Sequence, residues 1–272
     1  MGTGILTFDP PGRRVNIVID GPIANTNYTQ LNVIGVINIF ATNLSITGSY
    51  TPTAGETFTI INNDGTDPIQ NGFNNVTEGG IFNNFLGSGL RGKVTYVGGD
   101  GNDVVITVLA PDYTIATTDG NVVITDLTGT GETMDISQNS ENIRFNVTGK
   151  TYRIDGGITT PFPADIALAG KTSITVNTAL GDDIINVGAF TALPSLTING
   201  GTGDDQVNMN GDITFVANAN LDLDLQNDDP NPGVDVIILN TDANLRLSGT
   251  GAITLKSSKN IETKSGSSLA AV

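Results

Sequence analysis

Thr175-Val176-Asn177 with Gly181-Asp182-Asp183, and Thr197-Ile198-Asn199 with Gly203-Asp204-Asp205, are two passes through one pattern, and the displacement is the same at every matching position, from Thr175 to Thr197 as from Asp182 to Asp204. Before each Gly-Asp-Asp turn apolar and polar residues alternate, the period-two mark of a half-buried strand. Further alternations begin at Leu196, Leu221 and Leu245, at intervals only slightly longer. Repeats in the low twenties fit one circuit of a parallel β-solenoid, in which like strands stack about 4.8 Å apart and inward side chains merge into one core.

The alternation extends outward from there, through Val15-Ile17-Ile19, Phe58-Ile60, Val122-Ile124, Ile143-Phe145-Val147 and Ile253-Leu255. Thirty-six Thr, 30 Asn and 23 Asp stand against five Glu. Asn and Asp divert the backbone from helix into turns while Thr suits a pleated surface, so helix is expected to be nearly absent. The expected fold is all-β, a β-solenoid of roughly a dozen coils. Tandem β-sandwich domains are the alternative, because they alternate in the same way. Pro111 follows the strand that runs to Val108 and cannot donate to a ladder. It divides the chain into a segment 1–109 and an acidic segment 110–272 with coils of about 22–25 residues.

Composition closes several routes. Cys, His and Trp are absent, which removes disulfides, Cys/His zinc sites, thiol nucleophiles and imidazole bases. Twelve Lys and Arg against 28 Asp and Glu leave a net charge of -16, which makes nucleic acid a poor partner. No run approaches the roughly 18 apolar residues of a spanning helix, so direct membrane insertion of this segment is not expected. Residues 1–11 lack the basic and apolar regions of a signal peptide.

The stretch from Tyr28 to Val108, with Tyr28-Thr29-Gln30-Leu31-Asn32-Val33, Gly55-Glu56-Thr57-Phe58-Thr59-Ile60-Ile61 and Tyr96-Val97-Gly98-Gly99-Asp100-Gly101-Asn102-Asp103-Val104-Val105, resembles the repeat-rich passenger segments of bacterial autotransporters and giant surface adhesins. Residues 195–272, with Leu221-Asp222-Leu223-Asp224-Leu225 and Leu245-Arg246-Leu247-Ser248-Gly249-Thr250-Gly251, are similar to filamentous-haemagglutinin-like repeats. The resemblance implies a right-handed parallel β-helix, exported and presented at a bacterial cell surface or outside the cell. It implies a structural or adhesive role, with surface glycans or neighbouring surface proteins as partners, and no enzymatic activity.

Two segments fit the calcium nonapeptide G-G-x-G-x-D-x-U-x, Gly200 to Asn208 and Gly98 to Ile106. A calcium roll needs the adjacent nonapeptide to complete each ion's oxygen shell, and here the repeat is far longer than nine. Between Thr172 and Leu245 there are eleven Asp, among them Asp228 and Asp229, and no Lys or Arg. Stacked coils would bring Asp182 and Asp183 within a rung of Asp204 and Asp205, where like charges repel unless solvated or bridged by a cation. Those four are the candidate metal residues, with calcium as the candidate ion and no cofactor required. The bland alternative is a glycine turn capped by Asp.

The competing functional class is a carbohydrate-active enzyme or carbohydrate-binding module on the same scaffold, since clustered Asp can supply an acid and a base. Against catalysis stand the missing histidine and the absence of Lys and Arg from the acidic stretch. Arg144 and Arg153 are expected to point outward, and Phe73, Phe82 and Phe85 to pack beneath a loop.

Overall fold

The computed structural model describes residues 4–8, 12–226 and 233–271; Asp228 and Asp229 lie outside them. The protein is all-β, with extensive parallel pairing and, among the described residues, no α-helix and no closed barrel. It divides into two compact units, Met1–Ala110 and Pro111–Val272.

From Ser173 onward, strands that follow one another in the chain do not pair with each other among the described residues; instead they pair in parallel with their counterparts one circuit away. Ser173–Asn177, Ser195–Asn199, Leu221–Asp224 and Ile253–Lys256 lie side by side in one sheet. Ile184–Val187, Gln206–Met209, Val236–Leu239 and Asn260–Thr263 do so in a second, and Phe190–Leu193, Ile213–Phe215, Asn244–Leu247 and Ser268–Ala271 in a third. Register is maintained because a slip of one residue would turn every apolar side chain outward. Thus Val122, Ile174, Leu196, Leu221 and Ile253 align in one row, and Ile124, Val176, Ile198, Leu223 and Leu255 in another. All but Ile253 and Leu255 of these are fully buried.

The alternate residues carry polar ladders. Asn199 Nδ2 donates to Asn177 Oδ1 at 2.8 Å, Asn208 Nδ2 to Asn186 Oδ1 at 2.9 Å, and Asn240 Nδ2 to Asn210 Oδ1 at 2.7 Å. An amide can donate to one neighbour and accept from the other, so Asn suits positions that stack from one coil to the next.

Two features depart from the expected regular low-twenties repeat. The step is short where Ser173 pairs with Ser195, but ten positions longer where Ile213 pairs with Leu245 and Leu221 with Ile253. Leu245 therefore belongs to the third sheet and does not continue the row of Leu221. Nor is the pairing parallel throughout. Tyr113–Thr118 with Asn121–Asp126, and Thr133–Asn139 with Asn142–Val147, are antiparallel hairpins. Asn121–Asp126 then pairs in parallel with Ser173–Asn177, and Thr133–Asn139 with Ile184–Val187, so the hairpins found the first two sheets.

The first unit has its own core around Tyr28, Phe58, Phe73, Phe85 and Tyr96. Parallel pairs there also take the longer kind of step, as in Arg14 with Asn43, Leu31 with Ile61 and Ile37 with Ile69. Asp103–Leu109 then runs antiparallel to both Thr57–Asn63 and Arg91–Gly98. Phe73 and Phe85 are buried and Phe82 is half-buried.

Candidate functional site

The corners that join the first sheet to the second carry the Gly-Asp-Asp turns. Gly203 has φ of +138°, and a Cβ on it would lie 2.1 Å from the Gly181 carbonyl oxygen. Successive corners therefore press backbone on backbone, and only glycine allows the approach. In the Gly98 to Ile106 segment the same motif makes a hairpin turn between Arg91–Gly98 and Asp103–Leu109, and Asp103 Oδ1 accepts from the Asn63 N–H at 2.8 Å. One motif thus serves two different kinds of turn.

At the corners the two aspartates of each turn separate into two columns. Asp182 and Asp204 lie in the outer one, toward solvent; Asp204 N–H donates to Asp182 Oδ1 at 2.9 Å and Val234 N–H to Asp204 Oδ1 at 2.8 Å. Asp183, Asp205 and Asp235 are buried, with hydrogen bonds running in the opposite sense. Glu132 N–H donates to Asp183 Oδ1 at 2.8 Å, Asp183 N–H to Asp205 Oδ1 at 2.9 Å, and Asp205 N–H to Asp235 Oδ1 at 3.1 Å. Ser258 Oγ takes the next position, accepting from Asp235 N–H at 2.7 Å. Each carboxylate thus satisfies a corner amide that its own sheet leaves unpaired.

Of the four candidate metal residues, Asp183 alone joins a carboxylate group of three among the described residues. One oxygen from each of Asp126, Glu132 and Asp183 lies within 4.8 Å of the others. Asp126 ends one founding strand and Glu132 immediately precedes the next, so the loop Asp126-Leu127-Thr128-Gly129-Thr130-Gly131-Glu132 is the first corner of the column. Oxygen-bearing side chains at every second position turn to the same side. Thr128 Oγ1 lies 3.2 Å from Asp126 Oδ2 and donates to Glu132 Oε1 at 2.9 Å, while Thr130 Oγ1 and Lys150 Nζ also bind Glu132 Oε1. Neither Asp126 nor Glu132 was expected from sequence, although this D-x-T-x-T-x-E alternation carries them.

Burial governs the electrostatics. It pushes the Asp183 carboxyl up to about 8, against the hydrogen bond from Glu132 N–H and with help from the neighbouring charges of Asp205, Asp126 and Glu132. Asp126 is also raised, first by burial, with the Thr128 hydrogen bonds opposing. Burial works the same way on Glu132, but hydrogen bonds from Lys150, Thr130, Thr128 and Asp126 outweigh it and hold this carboxyl below its usual range. The Tyr113 phenol, buried beside the same group, is raised by burial and then by Asp126, Glu132 and Asp183. Asp126 and Asp183 are each 2% exposed, and the Glu132 side chain 6%. A sugar chain cannot reach them; a proton or a small ion can.

Elsewhere Arg144 makes a two-pronged pair with Asp165 at 2.8 and 2.7 Å, and Arg153 donates to the Gly156 and Gly157 carbonyls. A groove of about 560 Å³ in the second unit is lined by Gln138, Thr191, Asp212, Thr214 and Arg246. No helix of the described residues is long and apolar enough to cross a membrane. Comparison with family models, curated proteins and solved structures finds no match.

Proposed function

We propose that the chain is a structural or adhesive segment of a bacterial cell-surface or secreted repeat protein, with residues 173–271 forming four circuits of a right-handed parallel β-solenoid. The observation that carries this reading is the pairing of all three sheets with their counterparts one circuit later. Such stacking makes stability a sum over neighbouring coils and leaves long rows of side chains facing out, which suits a spacer or a contact surface. The outward rows are short and polar, as in Thr175 with Thr197 and Asn186 with Asn208. Antibodies against the purified chain, applied to intact cells of the source organism, test the location. Labelling without permeabilisation is expected, and labelling only after permeabilisation overturns the reading.

The carbohydrate-binding alternative draws on the groove by Gln138, Asp212 and Arg246, whose amide, carboxylate and guanidinium suit sugar hydroxyls. Retention on immobilised polysaccharides that is lost in Arg246→Ala would favour it. New reducing ends released from those polysaccharides would favour an enzyme.

A further inference from the structure

The geometry points to a binding site for one hard divalent cation of the calcium class, held by Asp126, Glu132 and Asp183 at the first corner of the second unit. The cluster is more than a patch of acid. Asp183 is 2% exposed, yet among the described residues its Oδ2 has no hydrogen-bond partner, and the buried Glu132 Oε2 has none either. Orphaned carboxylate oxygens in a closed site are costly unless something positive or protic meets them.

Lys150 does not fill that role. Its ammonium binds Glu132 Oε1 and makes no hydrogen bond to either orphaned oxygen. Once all three carboxylates are ionised, one ammonium leaves them two positive charges short, the charge of one divalent ion, so binding releases any proton the cluster carries. The donor set is all oxygen, three carboxylates with the Thr128 and Thr130 hydroxyls beside them, and contains no nitrogen or sulfur to favour zinc or copper. Magnesium keeps several of its waters and takes only one or two carboxylates, so a set of three protein carboxylates favours calcium.

Tyr113 supplies the assay. It is buried beside the cluster, and the chain has no Trp, so ultraviolet excitation reaches a bound terbium ion through tyrosine alone. Chelator-treated full-length protein is titrated with terbium, then with calcium and with magnesium as competitors. Sensitised emission that saturates at one ion per chain, that calcium displaces and millimolar magnesium leaves largely in place, is expected. Tyr113→Phe should remove most of the emission while calcium still raises the thermal midpoint. Asp183→Asn should weaken binding at least about tenfold, and Asp182→Asn, in the outer column, should leave it unchanged.

If Asp183→Asn does not fold, as judged by circular dichroism, Lys150→Met decides. Removing the competing ammonium should tighten binding severalfold, and unchanged or weaker binding overturns the site. It is equally overturned if wild-type protein gives no calcium-displaceable emission, if folded Asp183→Asn binds like wild type, or if Asp182→Asn loses binding to the same extent.

Discussion

Ile198 is fully buried, aligned between Val176 of the preceding coil and Leu223 of the next, while Thr197 beside it on the same strand is half-exposed. Ile198→Ala removes three carbons from a site with no exposure. At about 0.8 kcal/mol per buried methylene the transfer loss is roughly 2.4 kcal/mol, and the cavity left between two coils raises the total to about 3–4 kcal/mol. Coils pinned above and below by backbone pairing cannot close over the gap, so little relaxation is expected. Thr197→Ala should stay within about 0.5 kcal/mol. For a unit of this size the Ile198 variant should melt roughly 6–16 °C lower, read by far-ultraviolet circular dichroism, and its urea midpoint should fall in proportion. Equal shifts for the two variants would refute the inward and outward assignment and with it the register of the first sheet.

Gly203→Ala must push its Cβ against the Gly181 carbonyl, whereas Gly149, also at positive φ, has nothing within 4 Å of a new Cβ. Both should destabilise, Gly149→Ala by about 1 kcal/mol and Gly203→Ala by clearly more, measured side by side in urea. In chelator, stability of the second unit should decline as pH rises from about 4 toward about 8, since the folded Asp183 carboxyl holds its proton to about 8 and the unfolded one releases it near 3.8. That contribution is complete below the unfolded value and gone above the folded one; Asp183→Asn should flatten the slope of melting temperature against pH. Asn199→Ala removes the donor to Asn177 Oδ1 and should cost about 1 kcal/mol in the same measurement.

How much of this was legible from the chain depended on which signal each element left. The Gly-Asp-Asp passes could be aligned because the coil from Ser173 to Ser195 takes the same step in the first and second sheets. Asp235 and Glu132 occupy the same buried column yet stand 30 residues after Asp205 and 51 before Asp183, so no fixed period reaches them. Strand direction was equally hidden. Val122-Ile124 and Ile143-Phe145-Val147 alternate as Ile174-Val176 does, because period two reports which side faces the core and says nothing about whether the partner runs parallel. The Asp182 and Asp183 pair read as one acidic spot, but adjacent residues on an extended backbone face opposite ways, and the structure sends one toward solvent and the other inward.

The hairpins at the start of the second unit also bear on solubility. In the first sheet the outermost strand on that side is Thr160–Pro161, whose proline has no N–H to offer, and in the second it is Ala164–Ala167, where Asp165 is paired with Arg144. A short strand with proline and a strand bearing charge are poor templates for a foreign strand. A fragment beginning at Ser173 would instead present the bare edges of Ser173–Asn177 and Ile184–Val187, with Ile174, Val176, Ile185 and Val187 behind them. Such a fragment is expected to self-associate through those two edges, so the hairpins act as a stopper for the first and second sheets at that end.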